Sequence, residues 1–96
     1  MPTWATLSGF ERDLKGLTGA QKRAFRIAVG HFVADLRAGS FRKGLRVATM
    51  HGRDPVWEMT WALDGRATFM YGPEQRDGEP HIIWRRIGTH EIYDRP

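Results

Sequence analysis

The sequence predicts an α+β fold: two N-terminal helices packed on one face of a four-stranded, mainly antiparallel sheet. Three observations carry this. Apolar residues recur at helical spacing through the first 38 residues or so. Short alternating runs rich in β-branched and aromatic residues fill the second half. The connections between those runs are too short for anything but hairpins. At 96 residues the chain is read as one domain, residues 1–96.

The elements follow in order. Ser8-Gly9-Phe10-Glu11 has the form of a capping box and opens a short helix, with Phe10, Leu14 and Leu17 along one side. Thr18-Gly19-Ala20-Gln21 has the same form and opens a second helix. Its apolar stripe is Phe25, Ala28, Val29, Phe32 and Leu36, and Gly39 stands where a helix stop is expected. Gly30 lies in its interior, and close packing on the sheet is the reading offered for it. Strands are expected at Leu45–Met50, Val56–Ala62, Arg66–Tyr71 and His81–Ile87. For the central hairpin, a three-residue loop with Gly65 left-handed in a bulge pairs Ala62 with Arg66. This puts Trp57, Met59, Trp61, Ala67, Phe69 and Tyr71 on one apolar face. Glu58, Thr60, Arg66 and Thr68 take the other, open to solvent.

Composition narrows the chemistry. There is no cysteine, which removes disulfides, thiolate nucleophiles and thiolate metal sites and fits a reducing cytoplasm. The first residues lack the basic-then-apolar pattern of a signal peptide, so a cytoplasmic location is expected. The formal charge is +4, and twelve of the fifteen basic residues are arginine. Arginine forks match phosphate oxygens. From Leu36 to Arg53 the chain carries Arg37, Arg42, Lys43, Arg46, His51 and Arg53 and no acid. Such a run is usually a solvated face. In a chain this basic, nucleic acid is the competing reading, with Arg42, Lys43, Arg46, His51 and Arg53 as candidate RNA contacts. No zinc-helix, Gly-rich phosphate-loop or serine–histidine–acid pattern occurs, and no metal or cofactor is expected.

The stretch Arg86-Ile87-Gly88-Thr89-His90-Glu91-Ile92-Tyr93 resembles the C-terminal signature of the RelE/ParE toxin superfamily. Val56-Trp57-Glu58-Met59 and Gly65-Arg66-Ala67-Thr68-Phe69 look like that family's central strands, and Leu45-Arg46-Val47 like the strand before them. After Trp57-Glu58-Met59, where many members carry arginine, this chain has Thr60. The resemblance implies a RelE-like fold and a bacterial type II toxin held silent by a cognate antitoxin. For the RelE branch it implies a ribosome-dependent mRNA endoribonuclease working in the ribosomal A site. By position, His90 looks like the terminal catalytic histidine, Arg66 and Arg86 like phosphate-binding arginines, and Tyr93 like the C-terminal aromatic. Glu58 matches a strand glutamate of varying role. A gyrase-inhibiting ParE-type toxin and a non-catalytic nucleic-acid-binding protein of the same fold stay open.

The chemistry is coherent by itself. Metal-free RNA cleavage uses the 2′-hydroxyl as nucleophile and needs a base, a cation on the developing phosphorane and an acid for the leaving 5′-oxygen. His90 is the candidate acid or base, and nearby arginines are expected to depress its pKa. Arg86 is preferred over Arg85, because neighbouring strand residues point to opposite faces. Glu58 is read equally as a catalytic carboxylate or as a cross-strand partner of Arg66.

Overall fold

The N-terminal residues are strand rather than coil. In the computed structural model, which describes residues 2–50 and 55–96, β1 (Thr3–Thr6) runs parallel to the last strand, pairing Thr3 with His81 and Thr6 with Trp84. Helices α1 (Ser8–Lys15) and α2 (Gly19–Ala38) follow, then a 3-10 turn at Lys43–Leu45. The remaining strands are β2 (Ala48–Thr49), β3 (Trp57–Ala62), β4 (Gly65–Arg76) and β5 (Glu79–Gly88). The sheet order is β1-β5-β4-β3-β2, so five strands replace the four expected, and β1 makes the sheet mixed. A second 3-10 turn, His90–Asp94, follows β5.

The two helix starts differ. At Thr18 the capping box forms: its hydroxyl accepts from Gln21 N at 3.1 Å, and the Gln21 side chain accepts from Thr18 N at 2.8 Å. At Ser8 no box forms. Leu7 N donates to Trp84 O at 2.9 Å, so the β1 line continues to residue 7 and Leu7 becomes the cap without side-chain help. Gly39 ends α2 in the left-handed conformation, at φ 89°. Gly30 is exposed, and a Cβ there would meet nothing within 4 Å, so packing does not explain it.

The expected strand at Leu45–Met50 shrinks to two residues. Leu45 is buried, and Arg46 turns left-handed at φ 47°, which breaks extended backbone. Between β3 and β4 the faces sort as expected but the register differs. Thr60 pairs with Arg66 and Ala62 with Gly65, the turn is Leu63-Asp64, and the bulge lies at Trp61. Gly65 is a strand residue. The Trp61 ring lies across it, and a Cβ at Gly65 would sit 2.6 Å from ring carbons. The Trp61 indole N–H donates to Arg66 O at 2.9 Å. β4 and β5 run further than expected, to a turn where Gly78 has φ 77°.

The core lies between α2 and the inner sheet face. Phe32, Met59, Phe69 and Ile82 are fully buried. Phe32 meets Phe69 edge-on at 5.1 Å, and Trp84 lies 5.5 Å from both. Aromatic pairs at such separations add to the area they bury. α1 packs on β5, with Phe10 5.9 Å from Trp84. This leaves the outer face of β3, β4 and β5 for polar side chains.

Candidate functional site

The outer face is not simply open. The chain leaves β5 at Gly88, Thr89 caps the 3-10 turn by accepting from Glu91 N at 3.3 Å, and residues 90–96 fold back toward the sheet. Ile92 is buried, and its Cγ2 lies 3.0 Å from where a Cβ on Gly88 would stand. Glycine there lets the turn close. Thr68 points away from the helices yet is fully buried, because its hydroxyl donates to Pro96 O at 2.8 Å. Arg85 Nε donates to the same oxygen at 3.1 Å.

Beside this cover four predicted residues meet near the hairpin end. β3 presents Glu58 and β4 presents Arg66, which is the register partner of Gly88. Tyr93 returns from the 3-10 turn, and its hydroxyl donates to Glu58 Oε1 at 3.4 Å. Glu58 stands opposite Thr68, not Arg66, and the Glu58–Arg66 pair, one of the two readings of this glutamate, does not form. Arg66 instead folds over the turn, where its Nη1 donates to Gly65 O at 2.9 Å and Ala62 O at 3.2 Å. Burial and the Glu58 carboxylate push the Tyr93 phenol up, and Arg66 beside it pulls the other way.

His90 lies at the edge of this group. Its Nδ1 is 2.8 Å from Asp64 Oδ1, in the Leu63-Asp64 turn. That hydrogen bond and the carboxylate charge raise the imidazole pKa, and Arg66 opposes them only slightly. The expected depression by arginines is therefore reversed. Asp64 is the residue that sequence reading missed. Its place in the Leu63-Asp64-Gly65 turn gives no sign of a partner 26 positions away.

Arg86 is placed elsewhere. The β5 register shifts by one residue between its Arg86 and Trp84 pairings, leaving Arg85 as the extra residue of a bulge. Strict alternation fails there. Arg86 Nε and Nη2 grip both oxygens of Asp13 on α1, at 2.5 and 3.1 Å, and Asp13 Oδ2 also accepts from Ile87 N. This pair raises the Arg86 pKa further. Arg86 Nη1 and Arg85 Nε both reach carbonyls of the Arg95–Pro96 segment. Arg85 is the one beside Met70 and Thr68 on the outer face, so the expected opposition of the two side chains is not found.

In the basic run, Arg42 is held by Asp35. Its Nε and Nη2 donate to the two carboxylate oxygens at 2.9 Å, and its backbone N–H adds a third bond. The Arg42 hydrogen bonds lower the Asp35 pKa to about 2. Lys43 and Arg46 are exposed. His51 and Arg53 lie outside the described residues. Among the described residues no three His, Cys, Asp or Glu side chains converge as metal ligands do, and no helix is long and apolar enough to cross a membrane.

No protein-family model and no curated protein sequence matches the chain. Solved structures do. The chain is similar to one in the RelB–RelE antitoxin–toxin complex of Methanococcus jannaschii, with TM-score 0.63, 17% identity and coverage of 93% of this chain and 94% of that one. It is similar to one in the Escherichia coli DinJ–YafQ toxin–antitoxin complex, with TM-score 0.63, 15% identity and coverage of 95% and 94%. A metal-bound toxin from Helicobacter pylori gives TM-score 0.62, 17% identity and coverage of 95% and 97%.

Proposed function

We infer from the RelE-like toxin fold of this chain, and from the side chains it gathers, that the protein is the toxin of a type II toxin–antitoxin pair and cuts mRNA on the ribosome. The fold rests on solved structures with TM-scores up to 0.63. Two of them are complexes with antitoxins, which supports an antitoxin partner here. The observation that carries the chemistry is the grouping of Glu58, Arg66, Tyr93 and an Asp64-held His90 around one hairpin end.

The roles follow from protonation. Asp64 favours the charged form of His90, which suits the imidazolium to the part of general acid. Nδ1–H bonds Asp64, which leaves Nε2–H to deliver the proton. Glu58 is the base. It takes the 2′-hydroxyl proton, the 2′-oxygen bonds to phosphorus, the P–O5′ bond breaks, and His90 protonates the departing 5′-oxygen. A 2′,3′-cyclic phosphate remains. Arg66 holds the charge that builds on the phosphorane. Tyr93 orients Glu58 and offers a ring face to a base.

Mapping mRNA 5′ ends after induction tests this reading. New ends inside codons are expected with the wild type and are lost with His90→Ala and Arg66→Ala. A DNA-damage response without new ends would establish the gyrase-directed alternative instead. RNA retention without cutting would leave only a binding module.

A further inference from the structure

β1 ends the strand order, and among the described residues no strand lies beyond it. Trp4, Ala5 and Thr6 are all exposed, Trp4 at 48%. A parallel strand bonds its neighbour through alternate residues, each of which turns both its N–H and its C=O the same way. Leu7 N donates to Trp84 O, so Ala5 and Thr3, which share its parity, face β5. The N–H and C=O of Trp4 and Thr6 therefore point outward, and they have no partner among the described residues. Strand edges are usually guarded by charge, above all by lysine. Here residues 1–10 carry no charge, in a chain of which 27% is charged.

We propose that this edge pairs with the same edge of a second copy of this chain, antiparallel about a two-fold axis at Ala5. Trp4 exchanges both of its hydrogen bonds with Thr6 of the partner subunit, and Thr6 does the same with the partner's Trp4. Every outward N–H and C=O is then paired. The neighbouring registers lose bonds. Centred on Trp4, Thr6 meets Pro2, which has no N–H. Centred on Thr6, Trp4 meets Ser8, which already belongs to α1.

The side chains suit the same register. Ala5 meets its own copy across the axis, in the kind of pair where side chains approach most closely, and a methyl group fits there. Trp4 stands on the helix side of the sheet, in register with buried Ile82. Beside the partner subunit's Thr6 its ring loses part of its contact with water. A strand from an unrelated protein would need only extended backbone. A second copy is favoured because the bonding pattern and the uncharged run are both complementary to themselves. The net charge of +4 opposes association, but none of it lies on residues 1–10. Glu58 and Arg66 sit on β3 and β4, beyond β5, so the pairing leaves them uncovered.

Sedimentation of the whole protein, with amide exchange read by NMR, tests the proposal. The sedimenting mass should rise with concentration from one copy to two and go no further. The Trp4 and Thr6 amides should exchange fast when dilute and slowly when concentrated, while Ala5 and Leu7 stay slow in both. Ala5→Lys and Ala5→Glu each set like charges face to face across the axis and should weaken the dimer by roughly tenfold or more. Both change an exposed side chain. Mixing the two variants should restore the dimer, which misfolded chains could not do. A protein that stays monomeric as its concentration rises overturns the proposal. So does a dimer that both variants form unchanged, or a mixture no better than either variant alone. Growth beyond two copies overturns it too, because a two-fold pairing uses up its own edge.

Discussion

His90 Nδ1 lies 2.8 Å from Asp64 Oδ1, tying the turn after β5 to the tip of the β3–β4 hairpin. One group comes from the last strand's exit and the other from a two-residue turn. Asp64 raises the His90 pKa above 6.5, and His90 lowers that of Asp64 in return. NMR titration of the His90 ring should give a midpoint above 6.5 in the wild type and a lower one in Asp64→Asn. A wild-type midpoint at or below 6.5 would refute the pairing. The sign for stability follows. The His90 contribution is complete below its unfolded pKa and fades as pH rises through the folded value. Asp64 contributes above its unfolded pKa and loses this as pH falls through its depressed folded value. Both side chains are largely exposed, so the effect on unfolding midpoints is small.

The same pair should shape the rate profile of the proposed cleavage. With His90 as the acid, cleavage falls as pH rises through its raised pKa. Asp64→Asn should move that alkaline limb to lower pH, and His90→Ala should lose about 10²–10⁴-fold at every pH. An alkaline limb unmoved by Asp64→Asn would assign the proton to another group.

Arg86 and Asp13 should behave as one unit. Either alanine substitution leaves a half-buried ion without its partner and should cost about 1–2 kcal/mol in urea unfolding. The double variant should cost much less than the sum. Additive losses would show that the two side chains stabilise the fold separately.

Two glycine substitutions should have opposite signs. Gly30→Ala adds a methyl group in open solvent on an exposed helix face, and should stabilise by roughly 0.5–1 kcal/mol. Gly65→Ala drives a methyl into the Trp61 ring and should cost about 1–3 kcal/mol. Thermal unfolding of the two variants checks both. A higher melting temperature for Gly65→Ala would mean that the Trp61 ring moves aside easily.

What the sequence revealed depended on which forces were local. The Thr18 box, the α2 stripe and the Gly39 stop are set within one turn of helix, and all were legible. The two faces of the β3–β4 hairpin were legible because alternation is a local property. The register was not, since Gly65 answers to the Trp61 ring and not to its own turn preference. Nor was the capping of α1, where the Leu7 bond to Trp84 extends the strand by a residue. Of the candidate residues, Glu58 and Arg66 both stand beside Tyr93 in the fold. The β5 bulge brought Arg85 and Arg86 both to the Arg95–Pro96 segment instead of to opposite faces. A one-residue slip between paired strands leaves no trace in either strand alone.

The parallel pairing of β1 with β5 also bears on how the molecule comes into being. Thr3 and His81 are joined across 78 positions. β1 precedes β5 along the chain and has no other strand neighbour among the described residues, so it stays unpaired until β5 is in place. Closing so long a loop is slow relative to forming the helices between. His90 and Tyr93, two of the residues proposed for cleavage, follow the far end of that same last strand. Pairing of β5 therefore completes both the β1 edge of the sheet and the strand from which those two residues follow.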